Sequence, residues 1–170
     1  MYQMKVTEKI IQAVLMRWAM AHRMECAVPN TVQVFYWEAD LITVTRAGLI
    51  HEFEIKISAS DYKADMQKLS KHWGLENGTR GPAYFWYVTH GFDIEPPEYA
   101  GWIKIIEAER LGTLRVVVKK PAPRLHKGKI TDRQRAQIIR SLSWRLVTEY
   151  EKLLRQEAKT ALPSELNLLT

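Results

Sequence analysis

Between Glu38 and Ile57 the chain reads Glu-Ala-Asp-Leu-Ile-Thr-Val-Thr-Arg-Ala-Gly-Leu-Ile-His-Glu-Phe-Glu-Ile-Lys-Ile, a run in which acids and a lysine punctuate apolar residues. If Ala47 is the apex of a turn, Asp40 faces Glu54 and Glu38 faces Lys56 across two antiparallel strands. Side chains alternate along a strand, so Glu52, Glu54 and Lys56 share one face while Phe53, Ile55 and Ile57 share the other. Cross-strand neighbours stand about 5 Å apart, and two carboxylates at that spacing repel unless a cation lies between them. A hard divalent ion supplies it. Magnesium takes oxygen ligands, commonly one or two carboxylates with water and a substrate phosphate, so Asp40, Glu54 and the main-chain carbonyl of Ile55 form a candidate ligand set. Lys56 would extend beside the ion, where an ammonium can orient a water and offset charge building on phosphoryl oxygens.

The elements that must hold these groups are legible in outline. Ile10, Ile11, Val14, Leu15 and Trp18 recur at steps of three and four, which predicts an amphipathic helix from Thr7, its cap, to about His22. From Thr31 to Ile57 the β-branched and aromatic pattern, broken at Arg46-Ala47-Gly48, predicts the two strands of the hairpin. Tyr62, Met66, Leu69 and Trp73 predict a second helix over about 61–73, capped by Ser60 or Asp61. The glycines and proline of 74–82 predict a loop before a strongly apolar, central strand over 83–88. Strands are expected at 102–106 and 114–119, paired with each other across a turn at 107–113. A capping box of Thr131 and Gln134 opens a long helix to about Ala158, with Ile139, Leu142, Leu146, Tyr150 and Leu153 on one face, before a frayed tail. Together these predict an α/β or α+β sandwich, with helices packed on a mixed sheet, as one domain over 1–160 and a tail over 161–170.

The composition sets the class. With 170 residues, 46% of them hydrophobic, the chain can bury a core unaided, and the single cysteine, Cys26, excludes an internal disulfide. No apolar run approaches the roughly 18 residues of a membrane span and the start lacks a signal-peptide block, so a soluble cytoplasmic protein without membrane association is expected. A net charge of +6 favours a polyanionic partner. The most basic stretch carries Lys119, Lys120, Arg124, Lys127 and Lys129, with prolines that hold it extended for tracking phosphates; an exposed solubility loop explains it equally well. Lys68 and Lys71 are expected on a helix face that either meets phosphate or is simply solvated, and His72 reads as a surface histidine before a proton shuttle. Glu52 and Glu38 are candidates for supporting the site from outside the ligand set, Glu52 being as readily an exposed glutamate beside a lysine. Glu8 is another, although the helix dipole alone favours an acid there. Tyr84-Phe-Trp-Tyr87 is expected in the core rather than as a stacking platform.

An acid near the start of one strand, a hairpin turn, then Glu54-Ile55-Lys56 followed by a helix resembles the PD-(D/E)XK phosphodiesterase superfamily, over roughly residues 7–88. Within it the chain is similar to small phage or bacterial nucleases and Holliday-junction-resolvase-like proteins. The family's proline before the first acid is absent, since Ala39 stands there. The resemblance implies a restriction-endonuclease-like fold and an endo- or exonuclease that uses Mg2+ or Mn2+ to cut DNA in recombination, repair or genome processing, in the bacterial host cytoplasm if phage-encoded. It implies Asp40, Glu54 and Lys56 as the catalytic set and matches Glu8 to the further acid of an early helix. The sequence does not fix the oligomeric state: the long last helix has two expected places, on its own domain or on a twin in a homodimer, and a junction-cutting enzyme would need two active sites. The competing expectations are a nucleic-acid-binding protein that keeps the fold without the chemistry, and a structural domain in which Lys56 neutralises Glu38 and Glu54.

Overall fold

The computed structural model describes residues 5–32, 34–79, 81–108 and 113–161; the expected tail beyond 161 and most of the turn at 107–113 lie outside them. The elements run α1 (Glu8–Ala21), β1 (Cys26–Thr31), β2 (Ala39–Val44), β3 (Ile50–Lys56), α2 (Ala59–Asp65), α3 (Leu69–Glu76), β4 (Tyr84–His90), β5 (Ala100–Glu107), β6 (Leu114–Lys120) and α4 (Asp132–Ala161). The chain divides into two compact units, Met1–Thr131 and Asp132–Thr170. The first is an α/β unit with all six strands in one mixed sheet. The second carries α4, whose Ile139, Leu146, Tyr150 and Leu153 are exposed.

The strands lie in the sheet in chain order. β1, β2 and β3 form an antiparallel meander, β3, β4 and β5 are mutually parallel, and β6 returns antiparallel on β5. Helices α2 and α3 carry the crossover from β3 to β4. Residues 91–99 carry the next one without a helix. That connection must run back from His90, paired with Ile105, to Ala100, paired with Phe85; an extended stretch of that length reaches about 30 Å, so Pro96-Pro97 suit it.

Sorting of side chains by strand face builds a core on each side of the sheet among the described residues. On one side Ile11, Leu15 and Ala19 of α1 pack with Leu41, Phe53, Ile55, Trp86, Val88, Ile103 and Ile105. Thr7 caps α1 as expected, accepting from the Ile10 amide at 3.4 Å. On the other side Leu75 of α3 meets Phe85, Tyr87 and Ala100, with Tyr62 and Met66 of α2 partly buried against them. Phe85 and Tyr87 are fully buried and Trp86 nearly so, as expected of a central strand.

Three expectations need correction. The segment 26–31 is a strand, unforeseen because Pro29 and Asn30 spoil its β pattern; as a sheet edge β1 tolerates the proline. The hairpin accordingly starts at Ala39, not Thr31. The helix expected over 61–73 is two helices, capped by Ser58 rather than Ser60 or Asp61, with Ser58 Oγ accepting from the Asp61 amide at 3.1 Å. The chain tightens between them, where the Gln67 and Lys68 amides bond three residues back to Ala64 and Asp65. This break shifts the helical phase. In α3 Lys71, His72 and Leu75 therefore turn inward, while Leu69 and Trp73, expected on the apolar stripe, face solvent. Among the described residues no helix is long and apolar enough to cross a membrane.

Gly101 in β5 lets the segment after β6 press against the sheet. A Cβ there would lie 2.5 Å from the Trp86 ring and 2.6 Å from the Ala122 nitrogen, and a backbone atom cannot step aside. Gly101→Ala is expected to destabilise the fold by about 1–3 kcal/mol, read as a lowered urea midpoint.

Candidate functional site

The hairpin register is the one deduced from its turn. Leu41, Ile42, Thr43 and Val44 pair with Phe53, Glu52, His51 and Ile50 in that order. Gly48, at φ 81°, makes the turn possible, and the Thr45 carbonyl and amide close the loop through Gly48 and Leu49. One step beyond the Leu41–Phe53 pair, Asp40 Oδ2 accepts from the Ile55 amide at 2.7 Å. This bond fixes the Asp40 carboxylate beside the Glu54-Ile55-Lys56 backbone at the end of both strands.

On the face covered by α2 and α3, β3 presents Glu52, Glu54 and Lys56, all buried. Glu54 is held on both oxygens: Lys56 Nζ donates to Oε1 at 2.8 Å and Lys71 Nζ to Oε2 at 2.6 Å. Lys71 also reaches Glu52 Oε1 at 2.9 Å, to which Trp37 Nε1 donates from the other side at 2.9 Å. Lys56 lies 3.3 Å from Asp65 Oδ1, and Asp65 further engages Lys68 at 2.8 Å and the Tyr87 hydroxyl at 2.9 Å.

The charges are tuned accordingly. Burial works to lower the Lys56 and Lys71 pKa values, but the facing carboxylates outweigh it and both ammoniums are held above the lysine range. Burial likewise raises Asp65, and there Lys68, Lys56 and Lys71 win, pulling it well below the carboxylate range. Glu52 stays raised by burial despite Lys71.

Asp40 differs from these acids. Among the described residues it makes no ion pair. Burial first, then the charges of Glu54 and Glu8, push its pKa up to about 7 against the Ile55 amide and the more distant Lys56. Glu8 is brought near by Gln12, whose Nε2 lies 3.2 Å from Glu8 Oε1, 2.7 Å from Asn30 Oδ1 and 3.0 Å from the Asp40 carbonyl. That clip fastens the start of α1 to the start of β2.

Asp40, a destabilised carboxylate beside the ammonium-paired Glu54, offers oxygen donors without a cation of its own among the described residues. Among the described residues no group of three or more His, Cys, Asp or Glu side chains is arranged to hold a metal ion. Magnesium needs only one or two carboxylates, with water and a carbonyl completing its shell, and Asp40, Glu54 and the Ile55 carbonyl are donors of the type it takes. The ammoniums on Glu54 do not forbid this, because each carboxylate oxygen has two lone pairs.

The remaining expected residues divide. Glu52 belongs to the cluster, as a fully buried acid rather than an exposed one. Glu38 is exposed before β2, and Lys56 pairs with Glu54, Asp61 and Asp65 instead of with it. Lys71 is not on a solvated face but in the cluster, because the helix break turns it inward. His72 is buried too, its Nε2 2.8 Å from the Asp65 carbonyl and its Nδ1 2.8 Å from the Tyr99 hydroxyl. Lys68, Lys119, Arg124, Lys127 and Lys129 are exposed. Lys120 is tied to the 91–99 connection through the Pro97 carbonyl at 2.8 Å. Sequence reasoning missed Gln12, Trp37 and Asp65 as members of the site; of these only Asp65, spaced one turn from Asp61 and beside Lys68, carried a signal.

No family model and no curated protein matches the chain. Among solved structures, a protein of unknown function from Silicibacter pomeroyi is similar, with a TM-score of 0.60 and 18% identity over 91% of this chain and 96% of that one. At that identity the likeness concerns the fold.

Two consequences are measurable. Lys71→Met leaves Glu52 and Glu54 short of an ammonium and is expected to cost about 3–5 kcal/mol in urea denaturation, with Glu52→Gln added to it restoring part of the loss. For Asp40, the folded pKa near 7 lies above an unfolded value near 4. Its contribution is therefore fully present below about pH 4 and is lost as pH rises through about 7. Thermal melts without divalent metal should fall across that window in the wild type and fall less in Asp40→Asn.

Proposed function

We propose that this chain is a Mg2+-dependent phosphodiesterase that hydrolyses the backbone of nucleic acid, DNA in the first place, with Mn2+ able to replace Mg2+. The observation that carries the reading is Asp40: a carboxylate with no ion-pair partner among the described residues, bonded to the Ile55 amide beside a strand that presents Glu54 and Lys56. Asp40, Glu54 and the Ile55 carbonyl would hold the metal, which when bound lowers the pKa of a water and polarises the phosphate. Lys56 cannot wander, being gripped by Glu54 and Asp65, and so keeps its ammonium where it can orient a water and offset charge on the phosphoryl oxygens. Lys71 holds the other oxygen of Glu54 and is a positioning residue in this scheme.

The exposed Lys119, Arg124, Lys127 and Lys129 suit backbone phosphates, in keeping with the net charge of +6. The resemblance in the Glu54-Ile55-Lys56 hairpin supports a place in phage or bacterial DNA recombination, repair or processing, in the cytoplasm. A second reading, a nucleic-acid-binding protein that does not cut, is favoured by one observation: two ammoniums already neutralise Glu54.

Labelled linear, branched and single-stranded substrates, incubated with and without Mg2+, separate the two. Cleavage should require the metal and fall by at least about a hundredfold in Asp40→Asn, Glu54→Gln and Lys56→Ala while circular dichroism shows each folded. Wild-type rates in two of these variants would refute the assignment, and binding without cleavage across the panel would leave the second reading.

A further inference from the structure

The scheme above leaves unused a recess of about 520 Å3, within the size range of ligand sites, lined by Tyr36, Trp37, Glu38, Lys68, Lys71 and Trp73. Its two ends differ. Towards the sheet it is rigid: Trp37 stacks on Phe35 with centroids 5.3 Å apart, donates to Glu52, and carries Lys71 Nζ 5.5 Å from its ring centroid. Since Lys71 also holds Glu54, the recess ends one side chain from the candidate catalytic strand. Towards solvent it is formed by large rings left in water, Trp73 at 63% and Tyr36 at 93% exposure.

We propose that this recess receives an unpaired nucleobase stacked on Trp73 and Tyr36, so that the substrate is a strand with single-stranded bases next to the phosphate to be cut; the proposal rests on the nucleic-acid reading above. Aromatic rings stack on any base, because every base has a π-face. The charges around them fit the rest of a nucleotide. Lys68, exposed at the rim, retains donors for a phosphate beyond its bond to Asp65. Glu38 can accept an N–H from a base edge and would repel a phosphate, which orients the base inward and the backbone towards Lys68. An aliphatic ligand would use neither charge. A base paired inside a duplex cannot enter unless it is first unpaired and extruded.

The test measures anisotropy of end-labelled oligonucleotides of about a dozen nucleotides on the full chain in EDTA. The ligands are a single strand, a blunt duplex of the same sequence and a duplex with a single-stranded overhang. The single strand and the overhang should bind more tightly than the blunt duplex. Trp73→Ala and Tyr36→Ala should each weaken those two by at least about fivefold and spare the duplex, with Trp73→Phe recovering most of the loss. Equal binding by Trp73→Ala and the wild type, or equal weakening of all three ligands, overturns the proposal. Since no metal is present, the outcome is independent of cleavage: Trp73-dependent binding of single strands by a protein that cuts nothing in Mg2+ keeps the recess and removes the nuclease, and cleavage indifferent to Trp73→Ala does the reverse.

Discussion

The first unit is organised around a carboxylate that cannot be left alone. Glu54 is almost fully buried on a strand next to the centre of the sheet, and moving such a charge out of water costs several kcal/mol unless it is paired. Both its oxygens are met, by Lys56 from the same strand and by Lys71 from α3. Lys56 then needs Asp65, Asp65 draws in Lys68 and Tyr87, and Lys71 needs Glu52, which leans on Trp37. The positions of α2, α3 and the segment after β1 over the sheet follow from satisfying that chain of partners as much as from the apolar contacts of Leu75, Phe85 and Tyr87.

Such a cluster is a weak device for stability. Hydrophobic residues of similar volume would hold α2 and α3 on the sheet at least as well, as the opposite face does with Phe53 and Ile55 against α1. What ionic packing supplies and apolar packing does not is a set of fixed charges beside a group that is kept uncomfortable. Asp40 is that group. The hydrogen bond it accepts from the Ile55 amide and the Gln12 clip fix its place, while burial, Glu54 and Glu8 raise the free energy of its ionised form. In the proposed metal-dependent reading, a cation arriving at Asp40 would relieve repulsion that the protein alone leaves in place.

The legible part of this arrangement was the part governed by a period of two. A hairpin with a marked turn has one register that sends Phe53 and Ile55 to a core, and the same register puts Asp40 level with Glu54, so the acids could be paired from the sequence. The partners from helices could not. Lys71 and His72 read as solvated because a continuous helix over 61–73 would put Leu69 and Trp73 inside; the short three-residue bonds at Gln67 and Lys68 leave no mark in composition, yet they rotate everything after them. Trp37 lies in a segment that reads as strand and is not one. β1 was hidden by Pro29, which only an edge position excuses.

The same rotation explains why an aromatic side chain stands in water. In α3 the buried positions are 71, 72, 74 and 75, and position 73 points away from the sheet. Lys71 reaches Glu54 only if Trp73 faces out, and any residue at 73 would do for that purpose. A lone exposed tryptophan would need no further account. Here the ring lies with Tyr36 and Trp37 around one recess that Lys71 also lines. One helix thus sets an ammonium against Glu54 with one face and an aromatic surface beside it with the other, and the separation between the two is fixed by the pitch of α3.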